Sequence, residues 1–146
     1  MQGVKYNNFD VDLKNAKATI WDGGDTRFSA ANMDDIANAV VTLITDESVR
    51  KQYLNQTAYV SSVQITQNEL LAAAEEVTGK KFDVQQRRSD NAFEDPSKVM
   101  DVLKAIQLSD RGLSDYAKRV EDGHGRFVID RKRNVREVLK EVLAKS

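Results

Sequence analysis

Apolar positions recur along this chain with two periods, and segments of the two kinds alternate. Residues 16–21, Ala-Lys-Ala-Thr-Ile-Trp, alternate and end in strand formers, which predicts a short strand. Asp22-Gly23-Gly24-Asp25 follows as a tight turn, because glycine takes a positive φ without steric cost. Residues 26–29 can then run extended. Ile36, Ala39, Val40, Leu43 and Ile44 fall at helical spacing and form one apolar stripe suited to packing on a sheet. Asn32 is the expected N-cap, Asp35 supplies an acidic variant of the capping box, and the helix should stop near Thr45 or Asp46. Residues 57–63 read as a strand. Thr66 with Glu69 marks the next helix start, Leu70, Leu71, Ala74 and Val77 form its buried face, and Gly79 ends it. Residues 81–84 read as another short strand.

Strand, helix, strand, helix, strand over residues 16–84 predicts an α/β layer rather than a helical bundle. The remainder reads as mostly helical. Pro96 suits a first helical turn ahead of Val99, Val102, Leu103 and Ile106. A second segment covers about 112–121, and Asp122-Gly123-His124-Gly125 breaks it. Phe127-Val128-Ile129 is short and extended or irregular. The last helix starts at Asn134, with Val135, Val138, Leu139, Val142 and Leu143 on its apolar face. The expected organisation is one domain over 1–146, with an α/β portion at 9–84 and a mostly helical portion at 85–146.

Composition narrows the function classes. A chain of 146 residues, 40% apolar and 31% charged, has the balance of a soluble domain able to bury a core. No apolar run approaches the roughly 20 residues that a membrane span needs. The absence of cysteine excludes disulfides, thiolate zinc sites and a cysteine nucleophile, and fits a cytoplasmic setting. A net charge of −1 offers no field for nucleic acid. The charge is uneven: residues 1–79 hold 6 basic and 11 acidic side chains, and residues 80–146 hold 16 and 12. Such a split suits two surfaces that attract each other or a partner, or simply solvated helix faces.

The candidate chemistry is sparse. His124 is the only histidine, and between two glycines it falls on a loop expected to be mobile. Its ordinary pKa suits proton transfer near neutral pH, but it lacks the partners of a serine triad or a metal site. Asp22, Asp25, Asp34 and Asp35 are accounted for by the turn and the helix start, so no metal ligand is assigned. Arg131-Lys132-Arg133, with Arg126 and Arg136, reads as a solvated basic face. Phe28, Phe93 and Phe127 suit either core or an apolar cleft.

Three stretches together resemble the second half of the NmrA-like family, most of all its fungal isoflavone-reductase-like members. They are residues 12–26, Asp-Leu-Lys-Asn-Ala-Lys-Ala-Thr-Ile-Trp-Asp-Gly-Gly-Asp-Thr; Phe28-Ser29 with Asp34-Asp35-Ile36-Ala37-Asn38-Ala39-Val40; and Tyr59-Val60-Ser61-Ser62 with Thr66-Gln67-Asn68-Glu69-Leu70-Leu71-Ala72-Ala73 and Thr78-Gly79-Lys80-Lys81. The resemblance covers about residues 9–84. It implies a C-terminal part of a Rossmann-like fold and the substrate side of an NAD(P)H-dependent oxidoreductase, about twice this long when complete. Phe93 and His124 fall where such proteins vary their cleft, and are the candidate substrate-binding residues.

The departure from the family lies in the cofactor half. The glycines at 3, 23, 24, 79, 112, 123 and 125 match neither Gly-x-Gly-x-x-Gly nor Gly-x-x-Gly-x-x-Gly. None of Tyr6, Tyr53, Tyr59 and Tyr116 has a lysine four residues on. No catalytic residue is assigned, and the chain by itself is expected to bind no cofactor. The expected state is a truncated or split protein with a small-molecule substrate, no nucleic acid and no membrane. A sheet lacking its first strands exposes an edge, so a homodimer or a protein partner at that edge is expected. The alternative is a non-catalytic regulatory or protein-binding module, motivated by the uneven charge and the lack of a catalytic set; the resemblance extends to some NmrA-like proteins that sense the dinucleotide pool and contact transcription factors.

Overall fold

A computed structural model describes residues 9–95, 97–109 and 111–144. The alternating stretch ahead of the double glycine forms β2 (Lys17–Trp21), which pairs antiparallel with β1 (Val11–Asp12). The turn takes positive φ at Asp22, Gly23 and Gly24. Gly24 is required there, since an added Cβ would sit 2.6 Å from Ile20 Cγ2 and 2.8 Å from Asn68 Oδ1. Beyond it run β3 (Phe28–Ala30), α1 (Met33–Thr45), α2 (Glu47–Gln52), β4 (Ala58–Ser61), β5 (Val63–Ile65) and α3 (Gln67–Thr78). The chain continues through β6 (Asp83–Arg87), α4 (Asp90–Phe93), α5 (Val99–Leu108), α6 (Tyr116–Glu121), β7 (Arg126–Asp130) and α7 (Val135–Ala144).

The architecture is mixed α/β with small sheets. One sheet has the order β1-β2-β6, with β2 and β6 parallel from Lys17↔Asp83 to Trp21↔Arg87. A second joins β3 and β5 antiparallel, and a third joins β4 and β7 parallel. The stretch expected as one strand over 57–63 is thus two strands in different sheets. The break falls at buried Ser62, which bonds sideways: its N–H donates to the Ala30 carbonyl, and its hydroxyl donates to Asp35 while accepting from the Asn32 N–H.

That serine also changes the reading of the α1 start. Asn32 caps as expected, accepting from the Asp35 N–H at 2.7 Å. The Asp35 carboxylate accepts from Ser62 Oγ at 2.6 Å and pairs with Arg131 at 3.0 Å, although its side chain is only 3% exposed. The hydroxyl of Ser62 therefore receives the Asn32 N–H that a capping box would give to residue 35. At α3 the box is complete, with Thr66 and Glu69 bonded reciprocally and Gly79 in the left-handed region after the last turn.

Two short helices go beyond the elements expected from the pattern. Asp46 accepts from the Ser48 and Val49 N–H groups and starts α2, a cap signal legible in Asp46-Glu47. The helix α4 is four residues long and lies within the interval expected to lead into α5. The strand expected at 81–84 begins at Asp83 and extends to Arg87, because Phe82 is spent in the core. Pro96 and Lys145 lie outside the described residues.

One hydrophobic cluster spans the chain. Trp21, Ile20, Phe28 and Leu70 meet Leu108 from α5 and Leu139 from α7 in it, and the rings of Phe9 and Phe28 stack at 5.1 Å. Two stripes stay outside. On α1 the face that docks presents Asp35 and Ala39, while Met33, Val40, Val41 and Ile44 remain 49 to 65% exposed. Of the expected stripe, Ala39 is buried and Leu43 half-buried, while Ile36, Val40 and Ile44 are turned largely to water. On α5, Val99, Met100 and Leu103 are likewise exposed, with Ala105 and Leu108 facing inward.

The core is pinned by polar atoms. Gln67 is 1% exposed; its Oε1 accepts the Trp21 N–H, and its Nε2 donates to the carbonyls of Phe9 and Thr19. Removing the amide strands three backbone groups in an apolar interior. Gln67→Ala is expected to lower unfolding stability by about 3 kcal/mol, read by urea denaturation. A loss within error of the wild type would show that these bonds hold nothing.

Candidate functional site

Three clefts open among the described residues that carry the argument. The first, about 340 Å³, lies at the C-terminal ends of β2 and β6 beside Asp22, Gly23, Gln86, Arg87 and Arg88. The carboxyl ends of parallel strands are where α/β sheets usually receive ligands. Here the charges are already spent. Arg87 donates to Asp101 at 2.6 Å and lies over the Trp21 ring at 4.8 Å, and Arg88 pairs with Asp90. The Arg87 hydrogen bond holds the Asp101 carboxyl below the usual carboxylate range. Asp22 accepts the Ser89 N–H.

The turn at this cleft also fails as a pyrophosphate cradle. Gly24 is packed against Ile20 and Asn68. Its carbonyl takes the Asn68 N–H in the first turn of α3, and Thr66 Oγ1 takes the Glu69 N–H. A phosphate would need those amides free. The residues at the turn therefore do not fit a dinucleotide.

A second cleft, about 450 Å³, runs between β5, α3 and the start of α7. Its Arg133 and Arg136 are bonded to Glu141 and Glu76. The basic run at 131–136 is thus largely a set of internal ion pairs. Among the described residues, four pairs join the acidic first part of the chain to the basic second part: Lys81–Glu75, Lys104–Asp10, Arg131–Asp35 and Arg136–Glu76. The uneven charge is in good part neutralised within the fold.

The third cleft, about 390 Å³, is of the kind that takes small molecules: apolar walls with a few polar groups. Met100 and Leu103 of α5 form one wall, Tyr116 of α6 and Ser114 the other, and Lys104 and Gln107 supply polar ends. Each wall is fixed from behind. The Tyr116 ring stacks on Tyr59 at 4.8 Å, Tyr59 OH accepts from Arg119 Nε, and Ser29 Oγ accepts the Tyr116 N–H. Lys104 bonds to Asp10, a 7% exposed residue that also accepts the Trp21 indole N–H at 2.7 Å.

The two residues singled out from the sequence lie elsewhere. Phe93 ends α4, packs against the core and carries the Arg111 guanidinium 4.2 Å above its ring. His124 is exposed in the turn between α6 and β7. Neither lines any of the three clefts. The turn is held at several points: the His124 N–H donates to the Arg119 carbonyl, and Gly125 lies where a Cβ would be 2.5 Å from the Thr57 carbonyl. Leu103 and Tyr116 read in the sequence as ordinary helix-face residues, so only one hint of the third cleft is legible there. The hint was Met100 beside Val99, one residue too many for a helix with a single buried face.

No protein-family model matches the chain, and no curated protein matches it.

Gly125 has φ 105° and close contacts on Thr57 and Tyr59. Gly125→Ala is expected to cost about 2 kcal/mol and to disturb the Tyr59–Tyr116 stack, seen as a lowered melting temperature with altered near-ultraviolet dichroism. An unchanged spectrum and melting temperature would mean that the turn has room to spare.

Proposed function

We propose that this chain is the C-terminal, substrate-binding half of an NAD(P)H-dependent oxidoreductase of the NmrA-like, isoflavone-reductase-like kind, inactive without the half that holds the dinucleotide. The observation that carries the reading is a pair of parallel strand pairings, β2–β6 and β4–β7, standing in sheets of three and two strands. Parallel strands belong to sheets covered on both faces, and a two-stranded sheet is marginal by itself. The uncovered stripes of α1 and α5 fit the same idea, that further strands and a further layer belong beside them. The resemblance over residues 9–84 names that missing part as a Rossmann half. In the complete protein the small substrate would lie in the cleft between α5 and α6, and hydride transfer would be the work of the nicotinamide held by the other half.

The α1 stripe also suits a second reading, a non-catalytic protein-binding module. The charge split adds nothing to that reading, since much of it is spent on ion pairs inside the chain.

Isothermal titration of the chain with NADPH is expected to show no binding at micromolar concentrations; a micromolar Kd would overturn the division of labour proposed here. The uncovered faces are expected to drive self-association, seen by light scattering as a mass that rises with concentration. Val40→Glu on the exposed α1 stripe should reduce it. A sharp monomer peak across micromolar concentrations would show that the faces are harmless in water.

A further inference from the structure

The outer edge of β6 is open, and its order of residues is its own complement. In the sheet β1-β2-β6 this strand pairs only with β2, and Asp83, Val84, Gln85 and Gln86 are all exposed. The Asp83 N–H donates to the Ala16 carbonyl, and the Arg87 carbonyl accepts the Asp22 N–H. Backbone groups alternate sides along a strand. Residues 83, 85 and 87 therefore bond inward, and Val84 and Gln86 turn their N–H and C=O outward. Such an edge is a template for another strand unless a proline, a bulge or a lysine blunts it, and β6 has none of these. Two copies related by a two-fold axis meet there as antiparallel strands. With the axis through Gln85, Val84 lies opposite the partner's Gln86, both outward, and the pair exchanges both ladder bonds. The same register sets Asp83 opposite the partner's Arg87 on each side of the axis, and opposite charges across a ladder attract. The Asp83 carboxylate is in none of the ion pairs among the described residues. Arg87 is held in place by Asp101 and the Trp21 ring, and a guanidinium presents five N–H groups, enough for a second carboxylate. Moving the axis to Val84 or Gln86 keeps ladder bonds and loses both charge pairs.

We propose that the protein dimerises through β6, two copies joining edge to edge about a two-fold axis at Gln85 and doubling the three-stranded sheet. The pairing concerns that edge alone and stands apart from the oxidoreductase reading.

The chain has no cysteine, so an introduced one reports only its own contacts. Residues opposite each other in a non-hydrogen-bonded pair stand about 4.5 Å apart at Cα, within disulfide reach. Gln85→Cys is expected to close a disulfide between two copies in a glutathione redox buffer, giving a covalent dimer on non-reducing gels. Asp83→Cys is the control: its two copies lie about 14 Å apart along the strands and should stay open. Both are made in the Val40→Glu background, so that association through α1 is reduced. Gln86→Pro removes one outward N–H and no bond to β2, and by sedimentation equilibrium it should weaken the dimer by about tenfold or more. No disulfide from Gln85→Cys, or equal yields from the two cysteine variants, would overturn the pairing. So would a Gln86→Pro chain that dimerises as the parent does. A chain that stays monomeric and binds no NADPH would sink the β6 pairing and leave the oxidoreductase-half reading standing.

Discussion

Three backbone groups from two separate segments converge on the amide of Gln67, and the fold is arranged around that convergence. The carbonyls of Phe9 and Thr19 and the N–H of Trp21 have no strand partner in the directions they face, and the first residue of α3 supplies one for all three. A buried amide fully bonded in this way fixes a register, because any slip leaves donors and acceptors stranded at a cost of about 1–3 kcal/mol each. The helix start is itself locked by the Thr66–Glu69 box and by Asn68, which reaches back to the carbonyl of Gly23 and the carboxylate of Asp25. The turn, the strand before it and the helix therefore hold one another in place.

Much of that was legible in the sequence, and the parts that were not have physical reasons. The strand ahead of the double glycine, the capping box at Thr66 and the left-handed Gly79 are local features, written in a few adjacent residues. What escaped was non-local. Nothing near Asp35 says that its carboxylate will be met by Ser62 and by Arg131, nearly a hundred residues away. Nothing in Gln67 distinguishes a solvated first-turn residue from the centre of the core. A helical stripe reveals its period but not its partner, so on α1 Ala39 of the expected stripe is buried together with Asp35 while Ile36, Val40 and Ile44 face water. The α5–α6 cleft escaped for the same reason: its walls come from elements that only the fold brings side by side.

Charge behaves likewise. Counted along the chain, an acidic first part and a basic second part suggest surfaces waiting for partners. Placed in space, Asp10, Asp35, Glu75 and Glu76 meet Lys104, Arg131, Lys81 and Arg136. These pairs are unequal. Lys81 is almost wholly exposed, and such a pair contributes little. Asp35 and Asp10 are buried, so each needs its cation because a bare carboxylate in the interior is costly. These two pairs, each with a buried carboxylate, tie α5 and the stretch after β7 to the earlier part of the chain.

The Asp10 pair also marks a fixed side of the molecule. Asp10 with Trp21 and Lys104, and Gln67 beneath them, hold the wall of the α5–α6 cleft by bonds to the core. Met33, Val40, Val41 and Ile44 of α1 stand exposed instead and gain nothing from water. Among the described residues the buried side-chain polar atoms are bonded except the Ser109 hydroxyl, while the apolar stripe of α1 stands open beside short parallel sheets. Buried hydrogen bonds thus fix the base of the α5–α6 cleft, whereas the apolar stripe of α1 rests exposed to water.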